Sequence, residues 1–289
     1  MSAQAICRAT EFAGLPAIEL ALPQGDRVQV ALQGAHVLSW ISGGQERLYL
    51  SPKNHFDGQS AIRGGVPVCF PQFNQRGPCA DRLPKHGFAR NVPWQAEAPQ
   101  LSDQAASLTL RLTDNAVTRQ WWPQAFAASL QLDLPPGTLR MSLTVHNTDS
   151  QPLLFSGALH TYFAVPDVTQ ATLQGLAGQS EWDSLTNRHA EAPETVRFNA
   201  EFDRVYAASE NASKSPLTLN QTLRISQSAS WANTVVWNPA SDLCSRLTDM
   251  PEEGWRHMLC VEAAQVFEPI SLAAGQQWLG WQHLQVLND

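Results

Sequence analysis

Apolar and polar residues alternate with a period of two along much of this chain. The alternation is clear in AIELAL at 17–22, SLTLRL at 107–112 and LRMSLTVH at 139–146. A period of two places successive side chains on opposite faces of a β-strand. Long stretches with the 3.6-residue period of an amphipathic helix are missing from the sequence. Many short strands with few helices predict an all-β protein, an antiparallel sandwich or barrel.

Turn-forming residues separate the alternating runs, as in PQGD at 23–26 and PPG at 135–137. The second of these turns lies between runs that end at Leu134 and begin at Leu139, which predicts a β-hairpin. All-β folds of this length often remain undivided, so we expect a single domain over residues 1–289. Further alternating runs occupy 27–32, 129–134, 222–227, 233–237 and 258–262.

Composition narrows the class of function. The net charge of −7 argues against nucleic-acid binding, which needs a basic face. No apolar run approaches the ~18 residues of a membrane helix, and no basic leader followed by an apolar run is visible. Five scattered cysteines without a CxxC pair predict free thiols in a reducing compartment and argue against a zinc ribbon. A cytoplasmic protein without a membrane or nucleic-acid partner is therefore expected.

Residues 51–94 interrupt the alternation with a segment rich in Gly, Pro, Arg, His and aromatic residues. A loop of this length inside a compact domain is usually functional or disordered, and its aromatic content argues against disorder. In AIRGGVPVCFPQ at 61–72, two glycines allow close backbone approach to a ligand, and the guanidinium of Arg63 suits phosphate or carboxylate. A tight turn beside a solvated arginine is the alternative interpretation.

A second motif in this segment, LPKHGFARN at 83–91, places Lys85, His86 and Arg90 around a glycine. These residue types fit the mouth of a site that binds a polyol and an anion. A polar loop with one buried histidine is the alternative.

Three further polar residues adjoin apolar runs. His160 lies in FSGALHTYF, where an alternating strand would direct it opposite to its two neighbours. Glu262 ends the strand-like run MLCV, where a carboxylate is costly to bury unless it is paired or functional. Asp203, in EFDRVY, is a candidate for binding sugar hydroxyls. The alternatives are a core histidine, a surface glutamate at a strand end, and an aspartate that is paired with Arg204 or lies in a turn.

Taken in order, these motifs resemble one known family. The succession IRGGVPVCFPQF, LPKHGFARN, ALHTYF, FDRVY, VVWNP, MLCVEAA and LAAGQQWLGWQ is similar to the hexose-6-phosphate mutarotase branch of the aldose 1-epimerase family, over nearly the whole chain. The resemblance implies a galactose-mutarotase-like β-supersandwich, a form of antiparallel β-sandwich that agrees with the strand pattern. One departure is Asn74, where family members often have glycine, followed by a longer loop through Arg82. This departure leaves the shape of the sugar-pocket rim open.

The resemblance also implies residue roles. His160 occupies the position of the general acid and Glu262 that of the general base, whereas Glu268 does not occupy the motif position. Arg63 and Arg90 occupy positions that would bind the phosphate. His86 and Asp203 match positions that would bind sugar hydroxyls, and Gln72 is a weaker match.

Anomer exchange of a hexose 6-phosphate needs only such an acid–base pair. A base takes the proton of the C1 hydroxyl while an acid protonates the ring oxygen, and the reverse steps close the ring. No metal or other cofactor is required, and the expected partner is a sugar phosphate bound by a monomer. Ordinary pKa values predict an ionised glutamate and a mostly neutral histidine at pH 7, unless a nearby carboxylate or phosphate favours the imidazolium.

Other activities remain open at this point. One is an aldose 1-epimerase that acts on unphosphorylated hexoses, although arginines from two separate motifs argue against it. Another is a non-catalytic carbohydrate-binding protein, which would not need both an acid and a base. A glycosidase could use Glu262 and Asp203 as its two carboxylates. A metal site fits least, because no H-x-H or H-x₃-H spacing is present.

Overall fold

The computed structural model describes residues 4–77, 79–208 and 216–287. Its two α-helices are short, α1 (Thr118–Trp121) and α2 (Ala240–Cys244), and three 3₁₀ turns cover Ala89–Asn91, Val168–Gln170 and Gly254–His257. Within the described ranges, no helix has the length and apolar character needed to cross a membrane. The strands, in chain order, are β1 (Ile6–Phe12), β2 (Leu15–Ala21), β3 (Arg27–Ala31), β4 (His36–Ser42), β5 (Gln45–Glu46), β6 (Val68–Cys69), β7 (Gln95–Ala96), β8 (Gln100–Leu101), β9 (Ala106–Thr113), β10 (Phe126–Leu134), β11 (Thr138–Asn147), β12 (Leu153–Leu159), β13 (Tyr162–Ala164), β14 (Thr172–Gln174), β15 (Ser180–Asp183), β16 (Arg188–Glu191), β17 (Thr195–Arg197), β18 (Phe202–Ala207), β19 (Leu217–Leu219), β20 (Leu223–Gln227), β21 (Asn233–Asn238), β22 (Met258–Leu272) and β23 (Gln277–Val286).

The strands form three sheets. A five-stranded sheet has the order β1-β2-β3-β4-β5. A ten-stranded sheet runs β17-β14-β19-β20-β23-β11-β10-β9-β7, with β8 also paired to β9. An eight-stranded sheet runs β16-β15-β18-β21-β22-β12-β6, with β13 also paired to β22. The ladders between long neighbours, such as β10–β11 and β21–β22, are antiparallel. The all-β antiparallel sandwich predicted from the sequence is confirmed.

Each alternating run identified in the sequence lies in a strand. In β9 the residues Ala106, Leu108, Leu110 and Leu112 are buried, and those between them are partly or fully exposed. β10 and β11 form the predicted hairpin, in which Asp133 pairs with Arg140. In strands buried on one side, a period of two therefore reports correctly which face meets the core.

The largest hydrophobic cluster draws side chains from all three sheets. Trp40 comes from the five-stranded sheet, Leu130 from the ten-stranded sheet and Val261 from the eight-stranded sheet. Phe155 of β12 meets Trp278 of β23 edge to face, with ring centroids 5.4 Å apart. One shared core supports the single-domain assignment over residues 1–289, which stays a prediction.

The long strand β22 is buried on both faces. Its residues Leu259 and Val261 enter the main core, whereas Cys260 and Ala264 join two smaller clusters on the opposite face. Burial on both faces explains the continuous apolar run in this part of the sequence. Glu262 points to the same face as Cys260, between the two small clusters. The prediction that Glu262 ends a strand is therefore wrong, because β22 continues for ten residues beyond it.

Candidate active site

A cavity of about 240 Å³ opens on the face of the eight-stranded sheet that points away from the main core. Five of the residues predicted from the sequence line it together. They come from distant parts of the chain and are Arg63, His86, His160, Asp203 and Glu262.

The register of three adjacent strands places the carboxylates on this face. Glu262 of β22 pairs with Val235 of β21. Two residues further along β21, Trp237 pairs with Asp203 of β18. Because residues two apart in a strand share a face, all four side chains point into the cavity. Burial raises the pKa of Asp203.

The sequence had indicated an alternating strand around His160. In the structure this residue lies in a break between β12 and β13. Its backbone N–H donates to the carbonyl of Pro67, and the N–H of Thr161 turns back to the carbonyl of Leu159. The chain resumes pairing with β22 at Tyr162. Bonds to the loop segment, not to a neighbouring strand, therefore fix the position of this histidine.

His160 and Glu262 face each other on the cavity floor. Nδ1 of His160 lies 3.3 Å from Oε1 of Glu262. Both residues are buried, and neither His160 Nδ1 nor Glu262 Oε2 has a hydrogen-bond partner among the described residues. A buried polar pair without other partners is costly unless it has a function, so this arrangement makes the floor a candidate reactive site.

Burial shifts the pKa values of His160 and Glu262 in the directions that favour their neutral forms. The pKa of His160 is lowered well below 6.5 by burial and by the positive charges of Arg90 and Arg63. The pKa of Glu262 is raised well above 4.5 by burial and by the nearby Asp203. Burial of the Glu262 carboxyl group, which the sequence does not reveal, therefore works against the ionised form expected from ordinary pKa values.

Arg63 lies at the edge of the cavity in a network of polar contacts. Its Nε and Nη2 donate to the two carboxylate oxygens of Asp249, at 3.1 and 3.2 Å. Its Nη1 donates to the hydroxyl of Tyr162 at 3.3 Å. The guanidinium carries five N–H donors. Two of them therefore remain available for an anion in the cavity.

The loop over residues 74–86 is closed by reciprocal bonds between its ends. The N–H of Asn74 donates to Nδ1 of His86, and the N–H of His86 donates to the carbonyl of Asn74. Both residues have positive φ, 53° and 67°. The ring of His86 lies between Phe73 and His160, with centroid separations of 5.2 and 5.4 Å. Burial and the neighbouring His160 lower the pKa of His86, so it meets a ligand as a neutral imidazole.

The glycines of the two loop motifs serve close packing of backbone against backbone. For Gly64 and Gly65 the sequence had indicated close approach to a ligand instead. A Cβ on Gly64 would overlap the carbonyl oxygen of Tyr49, and one on Gly65 would overlap that of Val37. A Cβ on Gly87 would overlap the carbonyl of Phe70. The loop segment is therefore seated tightly on the strands beneath it.

Gly87→Ala is expected to lower the free energy of unfolding by about 1–3 kcal/mol more than Gly14→Ala does. Both glycines have positive φ, 72° and 86°, so both substitutions strain the backbone. Only Gly87 has a backbone atom in the way, since no atom lies within 4 Å of a Cβ on Gly14. Urea unfolding of the two variants measures the difference, and equal losses would contradict the close seating of the loop.

Gln72 and Arg90 are not among the residues that line the cavity. Gln72 is buried, and its amide donates to the carbonyls of Leu83 and Pro84, which braces the loop. Arg90 donates to the carbonyl of Lys85 at 2.8 Å. Its charge still lowers the pKa of His160. Both substrate-contact assignments stay predictions, and the geometry gives these residues supporting positions.

Several cavity residues were not assigned as substrate contacts from the sequence. Lys85 lines the cavity and adds a second cation to that of Arg63. Trp237, Leu243 and Leu247 form an apolar wall, of which the last two come from α2 and the turn after it. Lys85 stands in the motif LPKHGFARN, so its sequence position was a usable signal. The two leucines had none, because α2 packs against the site only in the folded chain.

One group of side chains in the described ranges could hold a metal ion. The ligand atoms of His160, Cys260 and Glu262 all lie within 4.8 Å of one another. Burial raises the pKa of the Cys260 thiol well above 9, with a further contribution from Glu262.

Comparison with known proteins places these features in a family. The aldose 1-epimerase family model matches residues 16–285. A protein of Cenchrus ciliaris with the provisional name glucose-6-phosphate 1-epimerase is 33% identical over 267 residues, which cover 87% of this chain and 79% of that protein. A protein of Salmonella typhimurium strain LT2 with the same provisional name is 35% identical over 252 residues, 84% of this chain and 81% of the relative.

A solved structure agrees. YeaD of Salmonella typhimurium, provisionally described as a mutarotase, superposes with a TM-score of 0.88 at 28% sequence identity. The superposition covers 98% of this chain and 94% of that one. The galactose-mutarotase-like fold implied by the motifs is thereby confirmed. From the extent of the family match and the identity to these relatives, the chain belongs to the aldose 1-epimerase family.

Proposed function

We propose that this protein interconverts the α and β anomers of a hexose 6-phosphate, most specifically glucose 6-phosphate, with His160 and Glu262 as the acid–base pair. The observation that carries the proposal is the buried pair 3.3 Å apart on the cavity floor, beneath the cations Arg63 and Lys85. The provisional names of its relatives, glucose-6-phosphate 1-epimerase, support the choice of substrate.

The pair needs one proton to work. Burial favours the neutral forms of His160 and Glu262, a pair that holds its one transferable proton on the carboxyl group. The ion pair of imidazolium and carboxylate holds the same single proton, so the two forms differ only in which group carries it. The bound substrate, with its hydroxyls and phosphate, replaces the missing solvation and favours the ion pair.

Ring opening then follows from this protonation state. Glu262 takes the proton of the C1 hydroxyl as the bond between C1 and the ring oxygen breaks, and His160 gives its proton to that oxygen. The pair again holds one proton, now on Glu262. Rotation about the C1–C2 bond turns the aldehyde, and the reverse transfers close the ring as the other anomer. The sequence is balanced without metal, nucleotide or covalent intermediate.

The remaining cavity residues bind and orient the sugar. His86 and Asp203 present polar atoms for hydroxyl groups, and Trp237 offers an aromatic face for the apolar side of the ring. Arg63 and Lys85 provide the positive charge that a phosphate requires. The phosphate supplies binding energy remote from C1, which holds the reacting bond within reach of both the acid and the base.

Polarimetry with pure α anomers tests the proposal against its alternatives. We expect the protein to accelerate mutarotation of glucose 6-phosphate with a higher kcat/KM than that of glucose. A higher kcat/KM for glucose would identify an epimerase of unphosphorylated hexoses. Binding of the sugars without acceleration of the mutarotation of either one would identify a carbohydrate-binding protein.

A bell-shaped dependence of kcat/KM on pH is expected. Below the lowered pKa of His160 the pair takes up a second proton and has no base, and above the raised pKa of Glu262 it has no proton to give. The acidic limb should therefore lie below pH 6.5, the ordinary value for histidine. Because the substrate phosphate itself titrates near ~6, the profile is measured with glucose as well. An acidic limb above pH 6.5 with glucose would contradict the burial of His160.

A further inference from the structure

The ring of Tyr162 lies against the ring of His160. The two rings are stacked, with centroids 4.8 Å apart and planes inclined by 9°. Trp237 closes this pair edge-on, at 6.3 Å from His160 and 6.2 Å from Tyr162. Tyr162 is 3% exposed, so its own orientation is fixed by packing. The plane of the imidazole is therefore set by the phenol ring beside it.

The other end of Tyr162 reaches the phosphate side of the cavity. Its hydroxyl accepts the bond from Nη1 of Arg63, while Asp249 holds the opposite edge of the guanidinium. Asp249 is in turn tied down through its carbonyl, which accepts a 2.6 Å bond from the hydroxyl of Ser51. One side chain thus touches both the histidine and the arginine.

We propose that Tyr162 is a positioning residue that joins Arg63 to His160, so that the phosphate held at one end fixes the sugar in register with the acid at the other. The inference rests on the function proposed above. A rigid link of this kind allows binding energy at the phosphate to raise the rate of reaction at C1, because a small misplacement of the reacting atoms slows the reaction. The hydroxyl serves only the phosphorylated substrate, whereas the ring serves both substrates.

Two substitutions separate these roles. Tyr162→Phe keeps the stacked ring and removes the hydroxyl. We expect kcat/KM for glucose 6-phosphate to fall about 10-fold, the size of one hydrogen bond to a charged group, while kcat/KM for glucose is unchanged. Tyr162→Leu also removes the stack, and kcat should fall for both substrates. Tyr206→Phe is the matched control, because Tyr206 is buried in the main core and does not line the cavity.

A second readout does not depend on turnover. The stacked ring of Tyr162 should shift the His160 carbon-bound proton resonances upfield. The shift should persist in Tyr162→Phe and disappear in Tyr162→Leu.

The outcomes distinguish this inference from the proposed function. If wild-type protein shows no preference for glucose 6-phosphate over glucose, the proposed function fails. If the preference exists and Tyr162→Phe retains it in full, the positioning role fails alone. Equal losses on both substrates in Tyr162→Phe would mark a merely structural residue and would also overturn the inference.

Discussion

Replacing Glu262 by glutamine is expected to lower kcat for anomer exchange by about 10²–10⁴-fold, the usual contribution of one positioned acid or base. Glutamine fills the same space on the cavity floor but cannot exchange a proton. His160→Asn should lower kcat by a similar factor for the same reason. The double variant should not lose the product of the two factors, because the pair acts as a unit that shares one proton.

Glu268→Gln provides the matched control for this experiment. It makes the same chemical change on the same strand, but Glu268 is exposed and lies outside the cavity. We expect normal turnover in this variant. Near-normal turnover in Glu262→Gln or His160→Asn, measured by polarimetry on folded protein, would contradict the assignment of the acid–base pair.

The second large effect is expected at Arg63. Arg63→Ala removes a cavity-lining guanidinium with two N–H donors left over from its bonds to Asp249 and Tyr162, and a hydrogen bond to a charged group contributes about 1.5–3 kcal/mol. We therefore expect kcat/KM for glucose 6-phosphate to fall at least about 10-fold, at 1.4 kcal/mol per decade, and to fall much less for glucose. Steady-state kinetics on the two sugars measures the ratio.

Arg90→Ala is the informative comparison. Arg90 does not line the cavity, so its loss should affect binding of the phosphorylated sugar less than the loss of Arg63. Equal effects of the two substitutions would assign a direct phosphate contact to Arg90, as the motif resemblance implies. Equal losses of kcat/KM for glucose and glucose 6-phosphate in Arg63→Ala would contradict phosphate binding by Arg63.

The fold was accessible from the sequence because several long strands, such as β9 and β10, are buried on one face. Alternation marks these strands, and PPG at 135–137 marks a hairpin. The two catalytic candidates were placed less well. β22 is buried on both faces, and its apolar run from Met258 to Val261 is followed at once by Glu262, so the sequence did not indicate that the strand continues. The break at His160 depends on a bond to Pro67, a contact between segments far apart in the chain.

The site itself was accessible mainly through the order of its motifs. Spacing alone left Arg63, His160 and Glu262 with ordinary structural alternatives, whereas their succession pointed to one family. The partners of these residues were not accessible, because the bonds that matter join distant segments. Asp249 lies 186 residues from the arginine it holds. The pKa shifts of the pair likewise follow from burial, which only the folded chain reveals.

Magnetisation-transfer NMR on glucose 6-phosphate at anomeric equilibrium tests the central claim most directly. The signals of the C1 protons in the α and β forms report exchange between them without any coupled reaction. We predict that catalytic amounts of the protein increase this exchange rate and that Glu262→Gln abolishes the increase, while Glu268→Gln retains it. An exchange rate equal to that of the buffer alone, with folded wild-type protein present, would contradict the proposed activity.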